Sequence, residues 1–215
     1  MIDRFSKCFF EPWIGREFDQ GIRGHRVLLL GESHYGDHIA ADHRSYTADI
    51  VKRYAIDGPT IAYFTIVYRL LTNDAIPTPS LRAEFWNSVS FYNYVQNYVG
   101  TGPRQRPTTA NWASGRLPFV QVIDALRPAC VVVLGRNLMR CLQQQHTLTP
   151  TATTDIFYYT TDNGLTTLLA TVRHPSGGFA YSRWRPTVEF MFNDGLAVHP
   201  ADPANGPRAA RSARC

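Results

Sequence analysis

Four short apolar runs, each closing on a glycine or a polar residue, constrain this chain more than any other feature. The first, Val27–Gly31, is followed at once by Glu32, Ser33 and His34. The second spans 88–95 and alternates, with Val89, Phe91, Asn93 and Val95 on one side and Ser90, Tyr92 and Tyr94 on the other. The third, Cys130–Leu134, closes on Gly135, and the fourth, 168–172, closes on Arg173-His174. Continuous apolar runs of this length read as buried strands. Between them lie stretches of helical spacing at 45–54, 60–71, Arg116–Leu126 and 137–145, with another at 182–192 after the last run. Strands that alternate with helices predict a parallel sheet covered on both faces. The fold class expected is α/β, a three-layer α/β/α domain with a central, mainly parallel four-stranded sheet over residues 1–198.

Punctuation supports this division. Asp57-Gly58-Pro59 and Pro77-Thr78-Pro79-Ser80 break the helical stretches, and Ser80 is placed to cap the helix that follows. Asp162-Asn163-Gly164 is a hairpin signal between apolar segments at 155–159 and 165–172. Residues 100–115 form a long polar loop with Arg106 and Trp112, a length that marks function or mobility. In the first 25 residues Phe9, Phe10, Trp13, Ile14 and Phe18 suggest a short packed helix. From His199 on, Pro, Ala, Gly and Arg predominate, and this basic tail is expected to be disordered.

In a parallel sheet ligands bind beyond the carboxyl ends of the strands. Glu32, Asn93, Arg136 and His174 all fall at or near such ends, which makes them one candidate site. Taken singly, each has a bland reading: a carboxylate in a turn, an amide satisfying backbone, a surface His-Pro. Their joint placement favours function. Composition adds boundaries rather than direction. The 215 residues carry a formal charge of +5, which permits a polyanionic partner without requiring one. Four cysteines lack C-x-x-C spacing, so no zinc or iron–sulfur site is expected. No apolar stretch reaches membrane-spanning length and no signal layout opens the chain, so it reads as cytosolic and without a membrane partner.

Four segments in this order resemble the motifs of the uracil-DNA glycosylase superfamily: Gly31-Glu32-Ser33-His34-Tyr35-Gly36; Phe91-Tyr92-Asn93-Tyr94-Val95; Arg106-Pro107-Thr108 leading to Pro128 and Val131-Val132-Val133-Leu134-Gly135-Arg136; and His174-Pro175-Ser176-Gly177-Gly178. Together they cover 26–192. The resemblance implies a monofunctional DNA N-glycosylase that flips out and excises uracil or another modified pyrimidine, in repair or phage defence, with no cofactor and no metal. It implies a monomer acting on DNA in the cytoplasm, at the nucleoid in a prokaryote. Glu32 would offset charge on the sugar or orient water, and His174 would donate to the departing base. Asn93 would read the base edge, with Tyr35, Ser33, His34 and Tyr46 around it. Pro175, Ser176, Gly177, Gly178, Phe179, Tyr181, Arg173 and Arg183 would contact DNA, with Phe179 or Tyr181 as the wedge. His34 stands where the family has Pro, and Gly177 where it has Pro. These departures extend the expected substrates to a bulky modified cytosine of phage DNA. Two other classes compete: a non-catalytic binder of modified DNA or of a repair partner, and a serine hydrolase using Ser33 and His174, which would need Gly where Tyr35 stands.

Overall fold

A computed structural model of the chain describes residues 3–36, 43–74, 76–102, 105–176 and 178–196. The basic tail lies outside them. Seven strands form one mixed sheet in the order β1-β3-β2-β4-β7-β6-β5. β2 (Val27–Gly31), β3 (Ser90–Asn93), β4 (Cys130–Leu134) and β7 (Thr166–Val172) are the parallel centre. β1 (Trp13–Ile14), β6 (Ile156–Thr160) and β5 (Leu148–Pro150) extend it by antiparallel pairings. The expected four-stranded, mainly parallel sheet is therefore corrected: three strands are added outside the parallel centre, and parallel and antiparallel pairings are equal in number. The reason is the edges. Trp13 and Ile14 pair with Phe91 and Ser90 instead of forming the expected N-terminal helix, and the Asn163-Gly164 hairpin returns β6 alongside β7.

The strand period of two sorts side chains between two cores. Val27, Leu29, Cys130, Val132, Leu134, Leu168, Ala170 and Val172 face one way. That face is covered by α1 (Tyr46–Val51), α2 (Ala62–Thr72), α3 (Pro79–Asn87) and α7 (Tyr181–Phe190). Leu28, Leu30, Tyr92, Val131, Val133 and Leu169 face the other way, under α5 (Arg116–Leu126) and α6 (Arg136–Gln145). α4 (Thr109–Ser114) occupies part of the long polar loop, started by a capping box between Thr108 and Asn111. Thr78, not Ser80, caps α3, accepting from the Leu81 amide; Pro79 takes the first helical position, which leaves Ser80 inside the helix. π-helical turns extend α1 over Lys52–Ile56 and α7 over Met191–Gly195. No helix among the described residues is long and apolar enough to cross a membrane.

His34 is buried, and His25 and His146 are half-buried. Burial pushes His34 down to about 3 and, with the Arg116 charge, His146 down to about 4; burial also lowers His25. The unfolded chain binds protons at these sites near the ordinary 6.5 while the folded chain does not. Stability must then fall as pH drops from about 6.5, by about 1.4 kcal/mol per pH unit for each fully suppressed ring. Urea unfolding at successively lower pH between about 7 and about 5 is expected to show a steadily falling midpoint; a midpoint that stays level or rises contradicts neutral buried rings.

Candidate functional site

The parallel register brings the candidate residues to one edge. Gly31 pairs with Asn93 across β2 and β3, so Glu32 emerges beside the Asn93 side chain. The pairing does not stop at the strand ends. Tyr94 donates its backbone N–H to Gly31, Val95 to Glu32, Val99 to His34, and Gly36 to Gly100. The segment after β2 is thus zipped to the segment after β3, which fixes the backbone that carries Glu32. β4 ends one residue before Gly135, from which α6 starts with Arg136 and Asn137. β7 ends two residues before His174.

Glu32, Asn93 and His174 line one cavity of about 310 Å³, together with Ser33, Tyr35, Tyr46, Ile50, Tyr54, Ile61 and Tyr63. Asn93 is 5% exposed, and its side-chain amide has no hydrogen-bond partner among the described residues. An amide without a protein partner that faces a cavity is free to bond whatever enters it. Gly31 is what allows it to lie there. A Cβ at position 31 would come within 2.1 Å of Asn93 Oδ1, and within 3.2 Å of the Tyr63 hydroxyl. Gly31 is the last strand residue, kept bare so that the amide can cross over it.

Glu32 is 11% exposed at its side chain and faces Arg106 at 3.9 Å. Burial raises its carboxyl above the ordinary range, while the Arg106 charge and the Asn137 amide pull it back. His174 stands exposed at the rim, where partial burial of its ring, with Arg106 adding to the effect, lowers the imidazole and favours its neutral form at neutral pH. Tyr63 of α2 lines the same cavity, with its ring 5.5 Å from that of His174. Burial and the Glu32 charge hold its hydroxyl protonated. Its apolar-looking position on α2 gave no sign of this. Asn137 was likewise legible only as a helix start.

A wider groove of about 930 Å³ adjoins the cavity and shares Glu32, Tyr35 and His174 with it. Its walls carry Arg106, Arg136, Arg173 and Arg183, and Ser176 also lines it. Arg136 and Arg183 each lie 5.3 Å from the Trp184 ring, and Arg136 is held by Asp155 at 3.0 Å. The remaining expected residues fall into different surroundings. His34 also lines the cavity; it is 6% exposed and bonds Thr47 through Nε2 at 3.0 Å, with Phe10 and Tyr46 edge-on, so it braces the wall it belongs to. The Tyr46 hydroxyl donates to the Tyr35 carbonyl. Pro175 is buried; Gly178 is exposed with φ of +76°; Gly177 lies outside the described residues. Phe179 and Tyr181 pack against the core and each other, and Arg69 covers the Tyr181 ring at 4.5 Å. Neither lines the cavity or the groove.

A serine-hydrolase geometry is not present here. Ser33 is not among the residues of positive φ, as a strained nucleophile elbow would require, and no hydrogen bond joins it to His174. No group of three or more metal-ligating side chains is found among the described residues. Comparison with protein-family models and with curated proteins gives no match.

Gly31→Ala tests the packing directly. The added methyl is expected to lower stability by about 1–3 kcal/mol, as overpacking does, and a crystal structure should show the Asn93 amide displaced from the cavity. An unmoved amide at undiminished stability would contradict the close approach.

Proposed function

We propose that the chain is a monofunctional DNA glycosylase of the uracil-DNA glycosylase type, acting on uracil or a bulkier modified pyrimidine. The observation that carries this is the unpartnered Asn93 amide, buried in a cavity with an acid and a neutral imidazole and opening onto a groove walled by arginines. About 310 Å³ is the lower end of ligand-pocket size, suited to a single flipped base. The amide supplies one donor and one acceptor, which is what a pyrimidine edge asks for. Tyr46, Ile50, Tyr54 and Ile61 give the cavity an apolar wall against which a ring substituent could pack.

The base enters the cavity after leaving the stack, because its glycosidic bond is out of reach in a duplex. Asn93 reads its edge. As the bond to the sugar lengthens, negative charge grows on the base and positive charge on the sugar. His174, already neutral, offers an N–H to the base oxygen. Glu32 as carboxylate offsets the sugar charge and orients the water that completes hydrolysis. Arg106, Arg136, Arg173 and Arg183 hold the flanking phosphates, and this sets register without reading sequence. The same cavity and groove also suit a reader of modified DNA that performs no chemistry; the partly desolvated Glu32 favours the enzyme, since perturbed carboxyls cluster at catalytic sites.

Duplexes carrying uracil or a 5-substituted pyrimidine, treated with the protein and then with alkali, are expected to break at the modified base. His174→Ala is expected to lower the single-turnover rate by about 10²–10³, the usual worth of one such donor. Glu32→Gln should lower it at least as much, and Asn93→Asp should change base preference. Alkali-resistant DNA across the whole panel, with tight binding retained, would make the protein a reader.

The pH profile supplies an independent check. The reaction needs the Glu32 carboxylate, so the rate falls as pH drops through its raised pKa. Arg106→Ala removes the charge that holds this value down. The acid limb of kcat/KM is then expected to move to higher pH; a limb in the wild-type position would dissociate Arg106 from Glu32.

A further inference from the structure

Beside the groove, between α6 and the β6–β7 pair, lies a hollow of about 160 Å³. Arg136, on the first turn of α6, lines both spaces. Four residues on, and so on the same face of the helix about 6 Å further along it, Arg140 also lines the hollow, as does Gln143. Arg140 is exposed and makes no ion pair among the described residues. Opposite stands Thr171 of β7, fully buried, whose hydroxyl has no partner. Asp155 closes the rim. It sits at φ of +68°, a conformation that a non-glycine residue adopts at a cost, and its carboxylate contacts Arg136 at 3.0 and 3.3 Å. The Asp155 carboxylate opposes an anion, but the two guanidiniums of Arg136 and Arg140 outweigh it, and the unsatisfied Thr171 hydroxyl at the back can donate, so the hollow suits a small anion.

We infer that this hollow is a second anion subsite, and that it takes a phosphodiester of the DNA strand as the strand leaves the groove over α6. This rests on reading the groove as the path of a DNA backbone. It adds a contact that does not touch the base cavity. Arg136 marks the junction between the two spaces, and Arg140 is the cation that the extension contributes. Its effect is on affinity and on the length of DNA engaged, not on the bond-breaking step.

Two duplexes carrying the same modified base separate the possibilities. One is long enough to cross α6, and the other ends within the groove. Affinity is measured for each over a range of salt. Each phosphate neutralised contributes about 0.9 to the slope of log affinity against log salt. Arg140→Ala is expected to flatten the slope for the long duplex by about that amount and to weaken its binding several-fold. The short duplex should be bound and cleaved as by wild type, and Arg140→Lys should restore the slope. An Arg140→Ala protein whose slope and affinity for the long duplex equal those of wild type overturns the subsite. A wild-type protein that binds neither duplex overturns the DNA-binding reading beneath it.

Discussion

The contact on which the rest of the site depends is the pairing of Gly31 with Asn93. Two parallel strands in this register place a bare Cα beneath an amide, and the amide then has nowhere to lie except in the cavity. The hydrogen bonds that continue the pairing past the strand ends hold Glu32 next to it. A slip of one residue would send every side chain of the strand to the opposite face. It would turn Asn93 into the core that now holds Tyr92 and Tyr94. The apolar runs that build the sheet are therefore also what aim the site.

The electrostatics follow from the same edge. A carboxylate with little access to water is driven toward its neutral form, and a single exposed guanidinium and an amide oppose this. Such a group sits in an environment where small changes in its neighbours change its protonation, a property common at functional sites. The arginines of the groove are arranged differently. Trp184 supports two of them and Asp155 ties one, so part of the ordering that binding would demand is already present in the fold.

How much of this was readable in the chain depends on the range of the interaction. Val27–Gly31, Cys130–Leu134 and the apolar end of β7 announce themselves, because strands buried on both faces are apolar at every position. β1 and β5 do not, being two and three residues long, with no period to detect. The convergence of Glu32, Asn93 and His174 on one cavity could be inferred from strand ends, since parallel topology puts such ends on one side. The surroundings could not. His34 lines the cavity, as its place in the sequence suggests, but only its bond to Thr47, thirteen positions away, shows that it also braces the wall. Phe179 and Tyr181 look like a free loop, and only packing against the core under Arg69 anchors them. Tyr63 belongs to an amphipathic helix whose spacing predicts burial and says nothing of what it is buried beside.

The central claim is that a base leaves the DNA stack and enters the space between Asn93 and His174. A crystal structure of the Glu32→Gln protein with a duplex bearing a modified pyrimidine tests it most directly. The expected result is the base outside the helix, with its edge on the Asn93 amide, an oxygen on His174 and the flanking phosphates along the arginine groove. A duplex with every base stacked, or one seated on another face of the molecule with the cavity empty, would contradict it.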